Sequence, residues 1–537
     1  MGSLLRRAVL TVSAGVLAAG CAADGGSVVT STSRSSSSSD GGSDGGVDGG
    51  FVGRSDAGST TRRDAPATSA PTDVPLPTGC STTPAVATRA VPAFPGAEGF
   101  GAVATGGRGG LVCVVTTLAA DGPGSFQDCA QRAEPRTIVF RVSGVIEGPV
   151  NLIHGNVTIA GQTSPGGVVV HGGLYCDNVY DPNDCRNVIL RHMRFRNSGD
   201  DDVRIGGSDR VILDHLSFGG AHDESLECSR SQNVTVQYSI IAEPAGEHWH
   251  YGGLLLNYSK DRFPLANISI HHNVWNGVAG RLPEISCEEN PDGPGTSNCA
   301  GRRLVLDVTN NVMFDALDPV YYNRCTGTNA GNDCAPSAQD FVLDLNFVGN
   351  VMFRRTSLGA GPMFAPDVAR STSNHVFWSD DLFYLGAGGT AAALALPSVA
   401  ARMPTPSVTV SPAAGLVAAL QRTAGALPHD PMDARLSGYL SGSVDARPPA
   451  WSGNAGIDRG DALHLSFTTP PAPPADTDND GMPDVWERAH GLDPSCPGAG
   501  LGTLAARSNN GVPGCAQGYS DLECYLNELA AQRAAGM

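Results

Sequence analysis

The stretch Asn187-Val-Ile-Leu190 returns as Arg210-Val-Ile-Leu213 and again as Asn233-Val-Thr-Val236, so that three copies begin 23 residues apart. In each copy one polar residue precedes a short alternating run that is rich in β-branched residues. Runs of this length and pattern indicate β-strands. A period in the twenties with one strand run in each copy is typical of a solenoid.

Related runs extend the pattern on both sides of these copies. They are Asn156-Val-Thr-Ile159, Asn267-Ile-Ser-Ile270, Leu304-Val-Leu-Asp307, Val342-Leu-Asp-Leu345, Asn273-Val-Trp275, Asn311-Val-Met-Phe314 and Asn350-Val-Met-Phe353. The later copies are more widely spaced, which indicates inserted loops. Strands that stack once per copy bury a continuous Val, Ile and Leu core, so the pattern predicts an all-β parallel β-helix. The alternatives are a β-sandwich and a propeller. A propeller blade needs roughly 40 residues and four strands, which a spacing of 23 residues cannot supply.

Helical periodicity is nearly absent from this region. The one helix that the sequence predicts there lies near residues 412–422, across the solenoid. Ser411 would be its N-cap, with Pro412 at the first helical position.

Composition excludes several classes of protein. The 537 residues contain 53 acidic and 35 basic side chains, a net charge of −18, which disfavours a nucleic-acid-binding protein. The 68 glycines follow no strict Gly-X-Y period, which excludes collagen. No apolar run of about 20 residues occurs, which excludes a polytopic membrane protein.

The N-terminus predicts export. Arg6 and Arg7 precede an apolar stretch over residues 8–20, as in a secretion signal. The sequence Leu17-Ala-Ala-Gly-Cys21 resembles the cleavage box of bacterial lipoproteins, so residues 1–21 are predicted to be a lipoprotein-type signal peptide. Lipidated Cys21 would then anchor a secreted protein at the outer membrane of a bacterial cell. The alternative is an ordinary signal peptide that is cut near Ala23.

Four further segments follow from composition. Residues 22–87 form a Ser- and Gly-rich tether that we expect to be disordered, and residues 461–475 form a Pro-rich linker. Residues 88–460 hold the strand repeats, and residues 476–537 form a small acidic module. Export makes disulfides plausible for the 14 cysteines. Short spacings favour the pairs Cys113–Cys129, Cys176–Cys185, Cys287–Cys299 and Cys325–Cys334.

Six segments of the sequence form recognisable motifs. They are Ala93-Phe-Pro-Gly-Ala-Glu-Gly-Phe-Gly101, Gly106-Gly-Arg-Gly-Gly110, Pro135-Arg-Thr-Ile-Val-Phe140, Thr158-Ile-Ala-Gly-Gln-Thr163, Val211-Ile-Leu-Asp-His215 and the segment 424–436. Together they resemble the motifs of the bacterial pectate lyases of polysaccharide lyase family one. The resemblance covers residues from about 88 to 440. It implies a right-handed parallel β-helix. It also implies Ca²⁺-dependent β-elimination of α-1,4-polygalacturonate to unsaturated oligogalacturonides.

Two acidic clusters lie one coil apart. Asp200-Asp-Asp202 follows one strand run, and Asp223-Glu-Ser-Leu-Glu227 follows the next. Calcium prefers six to eight oxygen ligands, which two stacked acidic loops can supply. The resemblance assigns Asp200, Asp202, Asp223 and Glu227 as the calcium ligands. The alternative is a solvated acidic loop.

The resemblance assigns the proton-abstracting role to Arg281, in the sequence Arg281-Leu-Pro283. Arginine is normally protonated, so a base role demands a perturbed environment. The family motif continues with arginines that bind substrate carboxylates, whereas this sequence has Glu284 and Ser286 in those places. We expect substrate contacts from His250, Arg204 and Lys260, the last being the only lysine.

The altered clamp keeps other functions open. The chain could cleave another uronan, or it could bind polyuronate without cleaving it. A glycoside hydrolase on a similar β-helix would need two carboxylates about 5 to 9.5 Å apart, for which Asp214 and Asp223 are candidates. Zinc held by histidines such as His215 and His271 is disfavoured because no HExxH spacing occurs. We expect a monomer that binds polygalacturonate and no nucleic acid.

The C-terminal module contains the sharpest single motif, Asp476-Thr-Asp-Asn-Asp-Gly-Met-Pro-Asp-Val-Trp-Glu487. Oxygen-bearing residues fall at positions 1, 3, 5, 9 and 12, with glycine at position 6, as in an EF-hand loop. Proline at position 8 departs from a helix-flanked EF-hand, and the loop instead resembles thrombospondin type-3-like and dockerin-like modules. Asp476, Asp478, Asp480, Asp484 and Glu487 are therefore predicted to bind a structural calcium ion.

Overall fold

The computed structural model describes residues 91–177, 185–245, 252–259, 263–278, 280–287, 299–316, 319–322, 341–358, 374–386, 398–447, 470–496 and 512–536. All of them lie within one compact unit, Asp48–Met537. The predicted signal peptide, the tether and most of the linker lie outside the described residues.

In the described ranges, twenty-six strands form three parallel sheets that wind into a β-helix. Sheet one contains, in spatial order, β1 (Leu111–Val115), β2 (Arg136–Phe140), β5 (Val157–Ala160), β8 (Val188–Arg191), β11 (Asp209–Asp214), β14 (Gln232–Gln237), β17 (Ala266–His271), β20 (Arg303–Thr309), β23 (Val342–Val348) and β25 (His375–Ser379).

Sheet two contains β3 (Gly144–Glu147), β6 (Val168–His171), β9 (Arg194–Arg196), β12 (Ser217–Gly219), β15 (Ile240–Ala242), β18 (Val274–Asn276), β21 (Val312–Phe314), β24 (Val351–Arg354) and β26 (Leu382–Leu385). Sheet three contains β4 (Val150–Asn151), β7 (Leu174–Asp177), β10 (Val203–Gly206), β13 (Leu226–Ser229), β16 (Leu254–Asn257), β19 (Leu282–Ile285) and β22 (Pro319–Tyr322). The chain passes from sheet to sheet in right-handed turns, the hand that parallel crossovers adopt. The predicted all-β right-handed parallel β-helix is confirmed.

The five helices of the described residues are short. They are α1 (Phe126–Ala130), α2 (Leu416–Thr423), α3 (Pro431–Tyr439), α4 (Asp484–Ala489) and α5 (Asp521–Ala534). Single 3₁₀ turns occur at Phe100–Val103, Gly161–Thr163, Thr356–Leu358 and Val444–Ala446.

The strand runs of the sequence repeat all fall in sheets one and two, because each polar residue marks the turn into a strand. Asn156, Asn187, Asn233 and Asn267 enter sheet one with φ between 50° and 62°. Asparagine tolerates this left-handed conformation better than most residues. The alternate residues behind them point inward and form one buried core that runs the length of the solenoid.

A second set of asparagines forms a buried ladder at the turn from sheet one to sheet two. Asn273 donates from Nδ2 to Oδ1 of Asn311 at 3.0 Å, and Asn311 donates in the same way to Asn350 at 3.1 Å. Asn350 donates to Oδ1 of Asp381 at 3.0 Å, and Ser239 begins the ladder by donating its backbone N–H to Asn273. The ladder joins successive coils inside the solenoid.

Three segments from distant parts of the sequence cover the outer face of sheet one. The N-terminal strap, residues 91–104, lies on β8, β11, β14 and β17, where the backbone N–H of Gly101 donates to Thr235 at 2.8 Å. A Cβ atom on Gly101 would lie 2.1 Å from the carbonyl oxygen of Val211, so only glycine allows this approach. Residues 402–413 cover later coils, for example where Met403 pairs with Asn346. The C-terminal module covers the first coils.

Helices α2 and α3 pack on the outer face of sheet two. The predicted helix near residues 412–422 is confirmed in place, but its predicted start is wrong. The helix begins at Leu416 with Gly415 as its N-cap, and no side chain caps it. Helix α3 was not predicted, although Asp430 caps it by accepting from the backbone N–H of Asp433 and Pro431 occupies its first position.

Three of the four predicted disulfides are confirmed: Cys113–Cys129, Cys176–Cys185 and Cys287–Cys299. The fourth, Cys325–Cys334, lies outside the described residues. A further bond, Cys515–Cys524, was not predicted. Cys228 is a buried free thiol.

Candidate functional site

An acidic cluster lies in the turns that lead into sheet three. Asp200 and Asp201 precede β10, and Asp223 precedes β13 one coil later. The two turns stack because β10 and β13 pair in parallel, with Val203 beside Leu226. Carboxylate oxygens of the three aspartates lie within 4.8 Å of one another, and they form the site to which we refer as the acidic cluster.

Asp202 and Glu227, which the sequence also assigned to this cation site, make other contacts. Asp202 is fully buried and accepts hydrogen bonds from the backbone N–H groups of Ser198 and Gly219 at 3.3 and 3.0 Å. Glu227 lies on the outer face of sheet three and accepts from Nε of Arg204 at 2.7 Å. The middle aspartate of the triplet, which sequence reasoning missed, thus lies in the cluster where the last one was predicted.

Arg204 links the cluster to Glu227. Its guanidinium donates to Oδ2 of Asp201 at 2.7 Å and to Oδ2 of Asp200 at 2.9 Å, and it lies 5.7 Å from the ring of Tyr175. Sequence reasoning predicted Arg204 to contact substrate. Its positive charge is directed at the carboxylates of Asp200, Asp201 and Glu227, and the substrate contact stays a prediction.

Arg281 lies on the same surface, immediately before β19. Its guanidinium is 3.4 Å from Oδ1 of Asp223 and 3.3 Å from Oε2 of Glu284, and it contacts the carboxylate of Glu224. Only 10% of the side chain is exposed. The predicted base and the predicted cation site therefore adjoin each other, although 58 residues separate Arg281 from Asp223. Glu224 was not named as a site residue, because nothing in the sequence shows that it faces Arg281.

The site carries more negative than positive charge. Its carboxylates belong to Asp200, Asp201, Asp223, Glu224, Glu227 and Glu284, and its guanidinium groups to Arg204 and Arg281. Burial raises the pKa of Asp200, against which the charge of Arg204 acts. Burial also raises the pKa of Asp201 well above its usual range. A divalent cation would relieve this excess of negative charge, and the donors are the hard oxygens that calcium prefers.

Glu284 and Ser286 occupy buried positions on the surface that carries the acidic cluster and Arg281, to which we refer as the groove. Glu284 is 3% exposed and Ser286 is 1% exposed. In sheet three Glu284 lies between Leu255 and Tyr321. Glu284 also pairs with Arg281 and so helps to position the predicted catalytic side chain. The arginine that the family motif has at this position would bind substrate.

Three predicted functional residues lie outside the described residues. They are His250 and Lys260, predicted to contact substrate, and Cys21, predicted to carry lipid.

A second group of possible ligands lies beside β11, where ligand atoms of His192, Asp214 and His215 lie within 4.8 Å of one another. The rings of His192 and His215 stack with their centroids 4.7 Å apart. Asp214 is fully buried and already accepts from Nε of Arg191 at 2.8 Å and from Gln237 at 2.7 Å. Burial acts to raise the pKa of Asp214, but the facing His215 and Arg191 outweigh it and lower that pKa. A carboxylate so occupied is also unsuited to the glycosidase role considered for it.

The C-terminal loop brings four of its five predicted ligands together. Carboxylate oxygens of Asp476, Asp478 and Asp480 lie within 4.8 Å of one another. Burial, followed by the charges of these three aspartates, raises the pKa of Glu487 to about 9. Asp484 makes a different contact, because its oxygens accept from the backbone N–H and the hydroxyl of Thr477 at 2.7 and 2.9 Å.

None of the helices in the described ranges is long and apolar enough to cross a membrane.

Comparison with known proteins gives a consistent result. No family model matches the chain. The chain is 29% identical over 461 residues to a probable pectate lyase C of Aspergillus fumigatus, a match that covers 82% of this chain and 95% of the relative. It is 28% identical to a probable pectate lyase C of Emericella nidulans, over 83% of this chain and 94% of that protein. These relatives are fungal, so the predicted bacterial origin gains no support from them.

Solved structures give weaker similarities. Jun a 1, the major allergen of cedar pollen, aligns with a TM-score of 0.41 at 15% identity, over 61% of this chain and 92% of its own. A pectate lyase from Bacillus sp. N165 in complex with trigalacturonate aligns with a TM-score of 0.40 at 13% identity, over 62% of this chain and 98% of its own. Scores this low carry no argument, and the fold rests on the strand pairing described above. Over most of its length the chain is similar in sequence to probable pectate lyases, and this similarity identifies it as a polysaccharide lyase.

Proposed function

We propose that the chain is an extracellular pectate lyase that cleaves polygalacturonate by calcium-dependent β-elimination and releases unsaturated oligogalacturonides. One observation carries the proposal: Arg281, the predicted base, lies 3.4 Å from Asp223 of the acidic cluster. A uronate whose carboxylate lies at the cluster would then present its ring to Arg281. The homology to pectate lyases supports the same reaction.

Asp200, Asp201 and Asp223 would hold the calcium ion, with Glu227 and Asp202 as further candidates from the sequence. Bound calcium would pair with the uronate carboxylate and so make the adjacent C5–H more acidic. The partly exposed Asp200 and Asp223, at 36% and 31%, leave the cluster open to solvent and substrate.

Arg281 would remove the proton from C5. The electron pair of that C–H bond then forms the double bond between C4 and C5, and O4 leaves with the other half of the chain. Asp223, Glu224 and Glu284 surround the guanidinium and hold it beside the acidic cluster.

Ultraviolet absorbance of the unsaturated product tests the proposal on the full chain with polygalacturonate. We expect the signal to rise with calcium and to stop when chelator is added. Arg281→Lys should lower kcat by at least about a hundredfold, the usual contribution of a general base, and should leave substrate binding measured by calorimetry unchanged. Arg210→Lys, at an exposed arginine, is the matched control. Turnover that persists in Arg281→Lys would remove Arg281 from the catalytic role.

A second function, binding of polyuronate without cleavage, is favoured by one observation. Glu284, in place of a clamp arginine, pairs with Arg281 at 3.3 Å. A folded protein that binds polygalacturonate in the presence of calcium but gives no product would support this function. Product from a different uronan would instead support a lyase of altered specificity.

Export of the protein is supported by the disulfides Cys113–Cys129, Cys287–Cys299 and Cys515–Cys524, which form in oxidising compartments. We propose that lipid on Cys21 retains the protein at a membrane surface. Cys21→Ser should release it into the medium, and a protein that stays in the membrane fraction would contradict this anchor.

A further inference from the structure

We infer that a divalent cation in the C-terminal loop fastens the C-terminal module onto the first coils of the β-helix. This inference concerns a site remote from Arg281 and does not depend on the proposed lyase activity. It starts from the loop Asp476–Glu487 and from the surface of the solenoid on which that loop packs.

The loop presents oxygen atoms that no protein group satisfies within the described residues. Glu487 is 1% exposed, and its Oε2 has no hydrogen-bond partner there. Oδ1 of Asp476, a residue that is 8% exposed, is in the same condition. Burying carboxylate oxygens in this way is costly, and they adjoin the convergent oxygens of Asp478 and Asp480. Four buried or half-buried carboxylates at positions 1, 3, 5 and 12 form a built site for a hard divalent cation such as Ca²⁺.

The same loop is packed against the solenoid. Gly481 has φ 89°, and a Cβ atom there would lie 3.2 Å from Val112 on β1 and 3.5 Å from Val139 on β2. Met482 and Trp486, 3% and 8% exposed, belong to one apolar cluster with Val112, Val139 and Ala160. These three residues lie on the outer face of sheet one, which the module shields from water.

Arg141 links the C-terminal loop to the solenoid. It follows β2, and its guanidinium lies 3.2 Å from Oδ2 of Asp476 and donates to the carbonyl oxygen of Pro474 at 2.7 Å. Asp476 therefore touches the solenoid with one oxygen and the cation position with the other. Without a cation, the repulsion among the loop carboxylates acts against the backbone conformation that places Met482 and Trp486 on the solenoid.

Helix α5 makes contacts of its own with the solenoid. Glu523 pairs with Arg108 at 2.8 Å, and Arg533 donates to the carbonyl oxygen of Ser164 at 3.2 Å. Both partners lie on helix α5. Loss of the cation should therefore loosen the loop and helix α4 first, while α5 keeps its own ion pair.

The test uses the full chain with Ca²⁺ and then with chelator. We expect chelation to accelerate amide hydrogen exchange in Asp484–Ala489 at least tenfold, and to shift Trp486 fluorescence towards that of an exposed indole. Trp486→Phe should abolish the shift, which assigns the signal among the five tryptophans. Asp478→Asn should weaken calcium binding at one site at least tenfold by calorimetry and reproduce the chelated state. Asp493→Asn, at an exposed aspartate, is the matched control.

Other outcomes separate this inference from the lyase proposal. The double variant Asp200→Asn and Asp223→Asn should lose the calcium that supports cleavage and keep the chelator-dependent change at Trp486. If Asp478→Asn does not fold, amide hydrogen exchange in the wild-type chain with and without chelator still tests the inference. A loop that binds no calcium would overturn the inference, and so would a loop that binds calcium while exchange in helix α4 stays the same after chelation.

Discussion

At the residue scale, Arg204 occupies the place of a cation. Its guanidinium bridges Asp200, Asp201 and Glu227 at 2.7 to 2.9 Å, so it offsets charge that a calcium ion would otherwise offset. A guanidinium and a calcium ion cannot share the same carboxylate oxygens without repelling each other. Arg204 should therefore compete with calcium and become available to a substrate carboxylate once calcium has bound.

Removal of this charge should tighten calcium binding. We expect Arg204→Gln to raise the affinity of the acidic cluster for calcium by roughly tenfold, which corresponds to about 1.4 kcal/mol. Calorimetric titration of the folded protein measures the change. Arg210→Gln, an exposed arginine on β11, should bind calcium as the wild type does. Equal or weaker binding by Arg204→Gln would mean that Arg204 holds the ligands in place and does not compete.

The sequence could predict the acidic cluster but not its membership. The spacing of Asp200-Asp-Asp202 and Asp223 by one coil is visible in the repeat. Which carboxylates of the triplet face the cluster depends on the turn between β9 and β10, where alternation no longer applies. The same limit holds for Asp484, whose position in the loop is correct but whose oxygens bind Thr477.

At the element scale, the asparagine ladder ends on an acid. Asp381 accepts from the side chain and the backbone N–H of Asn350 at 3.0 and 2.7 Å, while its Oδ2 is buried without a partner among the described residues. Burial is the main reason that the pKa of Asp381 is raised to about 8. The carboxyl group is therefore neutral below about pH 8, in the place where the three preceding coils have the amides of Asn273, Asn311 and Asn350.

This end of the ladder should make stability depend on pH. A raised pKa means that the contribution of Asp381 is complete below about pH 4, where the unfolded chain also binds the proton, and is lost as pH rises towards 8. Asp381→Asn removes the titrating group, so this contribution to the free energy of unfolding no longer depends on pH. Its unfolding temperature at saturating calcium should exceed that of the wild type by a few degrees at pH 8 and by little at pH 5. Asp380→Asn, at the exposed neighbour whose charge adds to this rise in pKa, should show a much smaller trend because the burial of Asp381 remains. A difference independent of pH in Asp381→Asn would contradict the prediction.

Strands were predictable where helices were not. The runs behind Asn187, Arg210 and Asn233 repeat, and a repeat can be detected without knowledge of packing. Helix α3 has nine residues, too few to be stable alone, and it forms because Met432 and Leu436 pack on sheet two. Its Asp430-Pro431 start was readable as a cap, but nothing local indicated the sheet that it covers.

At the scale of the whole molecule, charge opposes the proposed substrate. The chain carries −18, and polygalacturonate is a polyanion. At physiological ionic strength the Debye length is about 8 Å, so distant charges are screened while contacts inside the groove are not. Binding should therefore depend on local cations, and the overall field should slow the approach of substrate.

Moderate salt should accelerate the reaction. With free calcium held at saturation, we expect kcat/KM on polygalacturonate to rise roughly twofold between low salt and 150 mM NaCl, because screening weakens the repulsion. Trigalacturonate, with fewer charges, should show a smaller rise. A steady fall of kcat/KM with salt would mean that attraction inside the groove dominates the approach of substrate.

The covering of sheet one has a consequence for the order in which the chain folds. The N-terminal strap rests on strands that end at His271, and Glu98 in that strap bonds Thr409, 311 residues further along. Arg108 donates to Glu523, which lies 415 residues further along the chain. During synthesis or translocation, Glu98 and Arg108 emerge long before their partners Thr409 and Glu523. Successive coils can stack during synthesis, but the outer face of the first strands of sheet one stays exposed to water until helix α5 has been made. Contacts of such long sequence separation are formed slowly. The native structure is therefore completed only after helix α5 has been synthesised, and until then the solenoid has an apolar face open to water.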